Sequence, residues 1–452
     1  MVKHKRPAGH TQPSQSSRLQ HTLRALRHRN YRLFFMGQGL SLIGTWMSQV
    51  ATGWLVYRLT ESALLLGLVG FSGQIPAFLL TPFAGVWADR WSRHKVLKVT
   101  QTLSMLQSFA LAYLALSDRI HIAHVIVLAM FQGVVNAFDM PTRQSFVVEM
   151  LEDRADLPNA IALNSSIVNG ARLVGPSIAG LIIAAAGEGY CFLIDGFSYL
   201  AVLGSLFRMT LRRTRIERSR RNVFWELREG LSYVRNFAPI RNILLLVAFT
   251  SLAGAPYSVL LPIFASEVLH GGANTLGFLT AAAGLGAFLS ALRLAMRRTI
   301  LGLGRVIAVT AFLFGLALAF FSLSHTLWIS MALMSTVGFC LMQHLAASNT
   351  IMQTIVAEDK RGRVMSFYTM AFIGVTPFGS LIAGTLASRF GAPVTVAAGG
   401  LVCMGVGSWF ALQLKKVRPI VRPIYQELGI LPEVAKGIQA AADLQTPPEQ
   451  AD

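Results

Sequence analysis

The sequence predicts an all-α integral membrane protein, with twelve transmembrane helices in two six-helix, pseudo-symmetric bundles. Three observations carry this. Of 452 residues, 53% are hydrophobic and only 13% charged, about half the charged share of a soluble domain. Mean hydropathy is +0.53, so the apolar chain exceeds what a soluble core could hide, and its solvent is lipid. Apolar runs fall at 33–57, 64–88, 96–117, 122–145, 159–186, 190–209, 242–266, 275–296, 302–323, 326–348, 364–388 and 393–414. Each is near the roughly 20 residues a helix needs to cross a bilayer. An open sheet would leave its backbone unsatisfied in hydrocarbon, so the runs must be helical. Finally, the second six runs echo the first.

The order of segments follows. Residues 1–31 form a polar, basic arm with no cleavable signal, so the first run is expected to direct its own insertion. The first bundle covers 32–209, a linker 210–241, the second bundle 242–415 and a polar tail 416–452. An even number of spans puts both termini on one side. That side holds the arm (Lys3, Lys5, Arg6, Arg18, Arg24, Arg27, Arg29, Arg32), the arginines from Arg208 to Arg241, and the turns around Arg297 and Arg361. The other side holds only Arg58, Arg119 and Arg389. Such a bias predicts cytoplasmic termini. It also accounts for the net charge of +19 without a nucleic-acid partner. Cys191, Cys340 and Cys403 lie in apolar runs without metal-site spacing and read as small buried hydrophobes. No metal or cofactor is expected, and no phosphate-binding Gly-x-x-x-x-Gly-Lys-Ser/Thr loop occurs. The chain reads as a monomer and a non-enzyme.

Between the second and third runs lies Gly85-Val86-Trp87-Ala88-Asp89-Arg90-Trp91-Ser92-Arg93-His94-Lys95, a tight basic turn containing one acid. At the end of the fourth run, Asp139 and Arg143 are one helical turn apart, the spacing of a local ion pair. In lipid such charges face a partner or a cavity, and a structural or gating role is expected of them. In the fifth run Ser165, Asn169 and Arg172 share a helix face. At 1.5 Å per residue Arg172 is roughly 20 Å into the membrane. A guanidinium there needs water, a carboxylate or a substrate, either as a buried ion pair or as an anion-seeking or coupling element. Gly175-Pro176 with Ala179-Gly180 follows, where small residues permit close helix contact and the proline removes a backbone hydrogen bond.

In the linker, Phe224, Leu227, Leu231 and Val234 recur at helical spacing, predicting an amphipathic helix on the inner membrane face. Gln38, Gln49, Gln74 and Asn136 give the first half a polar lining, with His344 in the second half. The second half is richer in phenylalanine, and a cavity polar on one wall and aromatic on the other suits an amphiphile. Titratable candidates for coupling are Asp195, Asp139 and His344. The halves match at Leu66-Gly67-Leu68 with Leu276-Gly277-Phe278, at Gln144 and Glu149 with Gln353 and Glu358, and at Gly175, Ala179 and Gly180 with Gly379, Ala383 and Gly384. These three ordered matches indicate a duplicated six-span unit. In the second half Thr299 and Ile300 replace the acid and base of the Gly85–Lys95 turn.

The Gly85–Lys95 turn, in its position and spacing, resembles the signature of the major facilitator superfamily. Arg29-Asn30-Tyr31-Arg32-Leu33-Phe34, Pro141-Thr142-Arg143-Gln144 and Trp225-Glu226-Leu227-Arg228-Glu229-Gly230 resemble a bacterial branch that includes the enterobactin exporter and drug exporters. The Gly175–Gly180 stretch is similar to the antiporter motif of that superfamily, with Ala171 and Ala179 at two of its glycine positions. The resemblance implies two rocking halves around a midplane site, proton-driven efflux of a small siderophore- or drug-like amphiphile, and a bacterial inner-membrane location. It also implies that Asp89, with Gly85, Arg90 and Arg93, latches the cytoplasmic face against the start of the eleventh span. Import of a lipid or nutrient, and a non-transporting sensor or scaffold, remain open alternatives.

Overall fold

The computed structural model describes residues 23–88, 91–210, 223–297, 299–358 and 360–428. Twelve long helices are present among them. The first bundle contains α1 (Arg29–Thr60), α2 (Ala63–Ala88), α3 (Arg93–Leu116), α4 (Ile122–Glu149), α5 (Leu157–Ala186) and α6 (Glu188–Arg208). The second contains α7 (Ala238–Val268), α8 (Ala273–Ala295), α9 (Leu303–Ser322), α10 (Leu327–Ile355), α11 (Arg361–Phe390) and α12 (Ala392–Glu427). Eleven are long and apolar enough to cross a membrane. The exception is α1, which has ample length at 32 residues but carries Arg29, Arg32 and Arg58 beside a row of glutamine, serine and threonine. Its polar positions are covered by neighbours: Gln38 and Ser41 are buried.

The duplication appears in the packing. In the first bundle α1 packs on α6 and α5, α3 on α6 and α4, and α2 on α4. The second bundle repeats the scheme, with α7 on α12, α9 on α12 and α10, and α8 on α10. The bundles join through α2 with α11 and α5 with α8, again a symmetric exchange. The turns repeat too. Gly187, at φ 92°, ends α5 and starts α6, and Gly391, at φ 83°, ends α11 and starts α12. Only glycine takes that left-handed geometry without strain.

The repeats are not identical. In the first bundle α1 and α5 are continuous α-helices, and α5 runs through Pro176 unbroken. Their counterparts contain π-helical turns, at Thr250–Gly254 and Phe264–Val268 in α7 and at Met370–Gly374 in α11. Such turns hold a wider, less regular hydrogen-bond ladder.

Two segments beyond the spans dock on the bundles. A helix fills Val223–Asn236. One side of it meets α11: Glu229 pairs with Arg363 at 2.7 Å, and Gly230 is close to Phe367. Val234 is buried, but Leu231 is 55% exposed, so these two members of the expected apolar face point to different surroundings. The side chains of Phe224 and Leu227 lie outside the described residues. The last helix does not stop at 415. It continues to Glu427 through Pro419 and Pro423, because Val421, Ile424 and Tyr425 pack back against the second bundle.

The chain start is held by one carboxylate. A single helical turn at Arg24–Arg27 brings Arg24, Arg27 and His28 onto Asp156, each at 2.9 Å. Tyr31 donates to the Ala160 carbonyl at 2.7 Å. The entries of α1 and α5 are thereby locked together. The bond from His28 and the neighbouring guanidinium charges hold the Asp156 carboxyl below its ordinary value. A depressed carboxyl stabilises the fold at pH above its unfolded pKa, and that stability is lost as pH falls through the folded value. Asp156→Asn is therefore expected to lower the melting temperature of detergent-purified protein at pH 7. The gap to the parent should shrink as pH drops below about 4. A gap that stays constant with pH would show that the carboxylate charge plays no part.

Candidate functional site

The halves come closest on the side away from the chain termini. There Gly67 of α2 faces Gly384 of α11, and Gly180 of α5 faces Gly277 of α8. A methyl group added at Gly67 would lie 2.5 Å from the Ser380 carbonyl oxygen and 2.8 Å from Gly384 Cα. One added at Gly277 would lie 2.7 Å from the Pro176 carbonyl oxygen and 2.8 Å from Gly180 Cα. The contacts are pseudo-symmetric: Gly67 corresponds to Gly277, and Gly180 to Gly384. Small residues allow such backbone approach, and between helices in lipid it is van der Waals contact that holds. At the same end Tyr57 of α1 donates to Glu267 of α7 at 3.0 Å. On the terminal side, two ion pairs among the described residues tie each half to itself or to the linker helix. Arg93 pairs with Glu149 at 2.7 Å, and Arg363 pairs with Glu229 of the linker helix.

Between these ends lies a charged and aromatic junction. Arg172 is half-buried on α5. Its guanidinium lies 5.4 Å from the Trp46 ring centre on α1, within cation–π range. It also lies beside the Tyr257 phenol on α7, so it faces both halves. Gly284 of α8 packs against the Arg172 carbonyl. Toward the terminal side Phe378 of α11 meets Phe71 and Phe78 of α2, with ring centres 6.0 and 5.9 Å apart. A planar cation over an indole face can hold an amphiphile that carries an acid or an extended π system.

Asp195 is separate from that junction. It is buried in α6, where Ser108 of α3 donates to Oδ2 at 2.7 Å and Ser48 of α1 is a near neighbour, while Oδ1 has no hydrogen-bond partner among the described residues. Gly44 of α1 packs directly on it. Hydroxyls can donate to a carboxylate or accept from a carboxylic acid, so this shell serves both protonation states. Arg172 makes its contacts on the other side of α1.

The remaining predicted residues are scattered. Asp139 pairs with Arg143 and accepts from Thr100 and Gln101, each at 2.8 Å, which ties α4 to α3. Gln132 of α4 donates to Ser104 at 3.0 Å and to Asn136 at 3.2 Å. Gln38 is buried, Gln49 is exposed, and Gln74 and Asn169 donate to carbonyls of their own helices. His344 is fully buried within the second bundle, with Nε2 3.1 Å from the Thr250 hydroxyl, which places it away from the junction. Gly175 abuts Trp46 and Ile43, Pro176 abuts Gly277, and Gly180 belongs to the glycine contact above. Asp89 and Arg90 lie outside the described residues. Gly85 is within the last turns of α2. Trp46 and Tyr257 were not expected beside Arg172, whose depth pointed to water, a carboxylate or a substrate.

Comparison with known proteins gives a consistent result. The family model for transmembrane secretion effectors of the major facilitator class matches residues 20–420. The staphyloferrin A transporter of Staphylococcus aureus is 26% identical, over 86% of this chain and 97% of its own. The multidrug efflux pump Tap of Mycolicibacterium fortuitum is 27% identical, over 84% and 95%. The macrolide efflux protein A of Streptococcus pyogenes is 20% identical, over 81% and 92%. Among solved structures, the nucleoside transporter NupG aligns with TM-score 0.65 at 14% identity, over 86% and 99%. A bacterial homologue of the human lysosomal transporter Spinster, inward-facing and occupied, aligns with TM-score 0.67 at 14% identity, over 85% and 96%. These two likenesses establish the fold.

If the glycine contacts hold the far side shut, a bulky residue there should open it. Gly180→Leu is expected to speed labelling of a cysteine at Val259, which lies beside Gly70 between the halves, by a membrane-impermeant maleimide added from that side. The increase should be about tenfold for each 1.4 kcal/mol by which closure is disfavoured. Unchanged labelling in a folded variant would remove the glycines from the closure.

Proposed function

This chain belongs to the transmembrane secretion effector family of major facilitator transporters, and from that premise we propose that it exports a small amphiphilic molecule by alternating access. The observation that carries this reading is the pair of pseudo-symmetric glycine contacts. They bring backbone of the two halves into direct contact on the side away from the termini. Such an arrangement suits two rigid bodies that rock about a central site. Its closed side is then the outer face, both termini are cytoplasmic by the charge bias, and the membrane is a bacterial inner membrane. In the opposite state, Asp89 latches against the amide-rich start of α11 near Arg363, where a helix favours an anion.

The substrate class follows from the junction. Arg172, Trp46 and Tyr257 offer a cation, an indole and a hydroxyl, and Phe71, Phe78 and Phe378 offer apolar rings. That combination fits a siderophore- or drug-like amphiphile and gives a free sugar too few partners. The relatives named for a siderophore and for drugs agree in class, and those named for efflux support the outward direction.

Export against a gradient needs an energy source, and we assign the coupling to proton antiport at Asp195. Its hydroxyl shell tolerates loss or gain of a proton, and no guanidinium neutralises it among the described residues. It does not touch the substrate junction, but α1 contacts both: Ser48 and Gly44 face Asp195, and Trp46 faces Arg172. A proton taken up at Asp195 alters the seat of α1 and hence the junction.

In proteoliposomes an acid-inside pH gradient should drive uptake of an amphiphilic fluorescent dye by the inverted population. Asp195→Asn should abolish gradient-driven uptake, yet keep dye binding and energy-independent exchange. Gradient-driven transport surviving in that variant would exclude Asp195 as the carrier. Dye moving with the proton flux would indicate import, and the absence of any movement would indicate a sensor or scaffold.

A further inference from the structure

A cavity lies outside the interface between the halves. It has a volume of about 620 Å³ and sits at the terminal-side base of the second bundle. The starts of α7 and α9, the end of α10 and the extension of α12 enclose it. Its floor and walls are apolar, including Ile243, Phe410 and Leu414, and three cations stand in its lining: Arg305, Arg418 and Arg422. No acid lines it. All three arginines are exposed, and none makes an ion pair with a described acid.

Depth fixes the surroundings. At 1.5 Å per residue, the 36 residues of α12 run roughly 54 Å, well beyond the ~30 Å of hydrocarbon. The stretch from Arg418 to Arg422 therefore lies at headgroup level. Pro419 and Pro423 lack an N–H and leave carbonyls of the preceding turn free, while Val421 and Tyr425 hold the extension against the bundle. The result is an apolar slot opening at the membrane surface, rimmed by fork-shaped cations.

We propose that this cavity binds an anionic phospholipid. Its phosphate bridges Arg305 of α9 and Arg418 and Arg422 of α12, and an acyl chain lies along Ile243, Phe410 and Leu414. Guanidinium groups match phosphate oxygens with paired hydrogen bonds, and basic pockets between membrane helices favour anionic headgroups. A soluble anion would use the cations and leave the apolar walls unfilled. A zwitterionic lipid would bring its own positive group among three arginines. The bound lipid would brace the α12 extension against the entries of α7 and α9, and so stiffen the half that carries the π-helical turns. This inference rests on the membrane setting of the chain and not on transport.

The test adds dioleoyl phosphatidylglycerol, dioleoyl phosphatidylcholine or inorganic phosphate to protein purified in dodecyl maltoside, and reads the melting temperature. Phosphatidylglycerol should raise it, and the other two should not. Combined R305Q, R418Q and R422Q should remove most of that shift, while Arg208→Gln on the first bundle should keep it. Should the triple variant fail to fold, native mass spectrometry of R422Q alone should show fewer retained phosphatidylglycerol molecules than the parent. An equal shift from phosphatidylcholine, an equal shift from inorganic phosphate, or full retention in the arginine variants would each overturn the assignment.

Discussion

The structure depends on two places where backbone touches backbone. Inside a membrane, lipid is as apolar as leucine, so burying more leucine between the halves gains nothing. What holds two bundles together is close contact, and Gly67 with Gly384 and Gly180 with Gly277 supply it. Because the chain is duplicated, one geometric solution serves twice, and the pseudo-two-fold axis passes between the two contacts. Such a joint is tight without being sticky. At that end the phenol of Tyr57 also meets Glu267 of the other half. A seal of this kind can be strong in one state and released in the other, which an interlocked leucine seam or a buried ion pair would resist.

The two halves divide the remaining work unequally. The first holds Asp139, Asp195 and Arg172, each with partners on a neighbouring helix. Contacts of Asp139 with α3, of Asp195 with α3 and of Arg172 with Trp46 of α1 tie the first half together. The second holds a buried His344 and few other charges at depth, and it carries all three π-helical stretches seen among the described residues. Two of these lie in the counterpart of α1 and one in the counterpart of α5. The helices that meet at the junction are thus regular on one side and irregular on the other.

Much of this was legible in the chain. Composition and run length give twelve helices, and the correspondence of Gly67 with Gly277 and of Gly180 with Gly384 was already visible as a repeat. That these glycines pair across the interface was not, because a match between halves says what is equivalent and not what touches. The partners of Arg172 escaped for a related reason. Charge arithmetic looks for an acid, whereas a guanidinium in a half-buried site is also satisfied by an indole face and a phenolic oxygen. The polar composition from 416 on read as a tail, yet packing of Val421 and Tyr425 carries the last helix through Pro419 and Pro423 to Glu427. Leu231 and Val234 fit one stripe by spacing, but docking on α11 turns only part of that stripe inward.

The position of α1 sets the last constraint. Gly37 and Gly44 seat it on α6, and Gly175 of α5 seats on it at Trp46, so it has little freedom to slide alone. Asp195 is on one flank and Arg172 on the other, with no direct contact between them. A change of charge at Asp195 therefore cannot act on the junction by hydrogen bonding. In the proposed coupling it acts through the seat of Ser48 and Gly44, shifting α1, and Trp46 with it, against Arg172. Arg172 then meets Tyr257 of the other half at a changed angle. A close-packed helix transmits such a shift because it has no void to absorb it, and the π-helical turns of α7 are where the second half can yield.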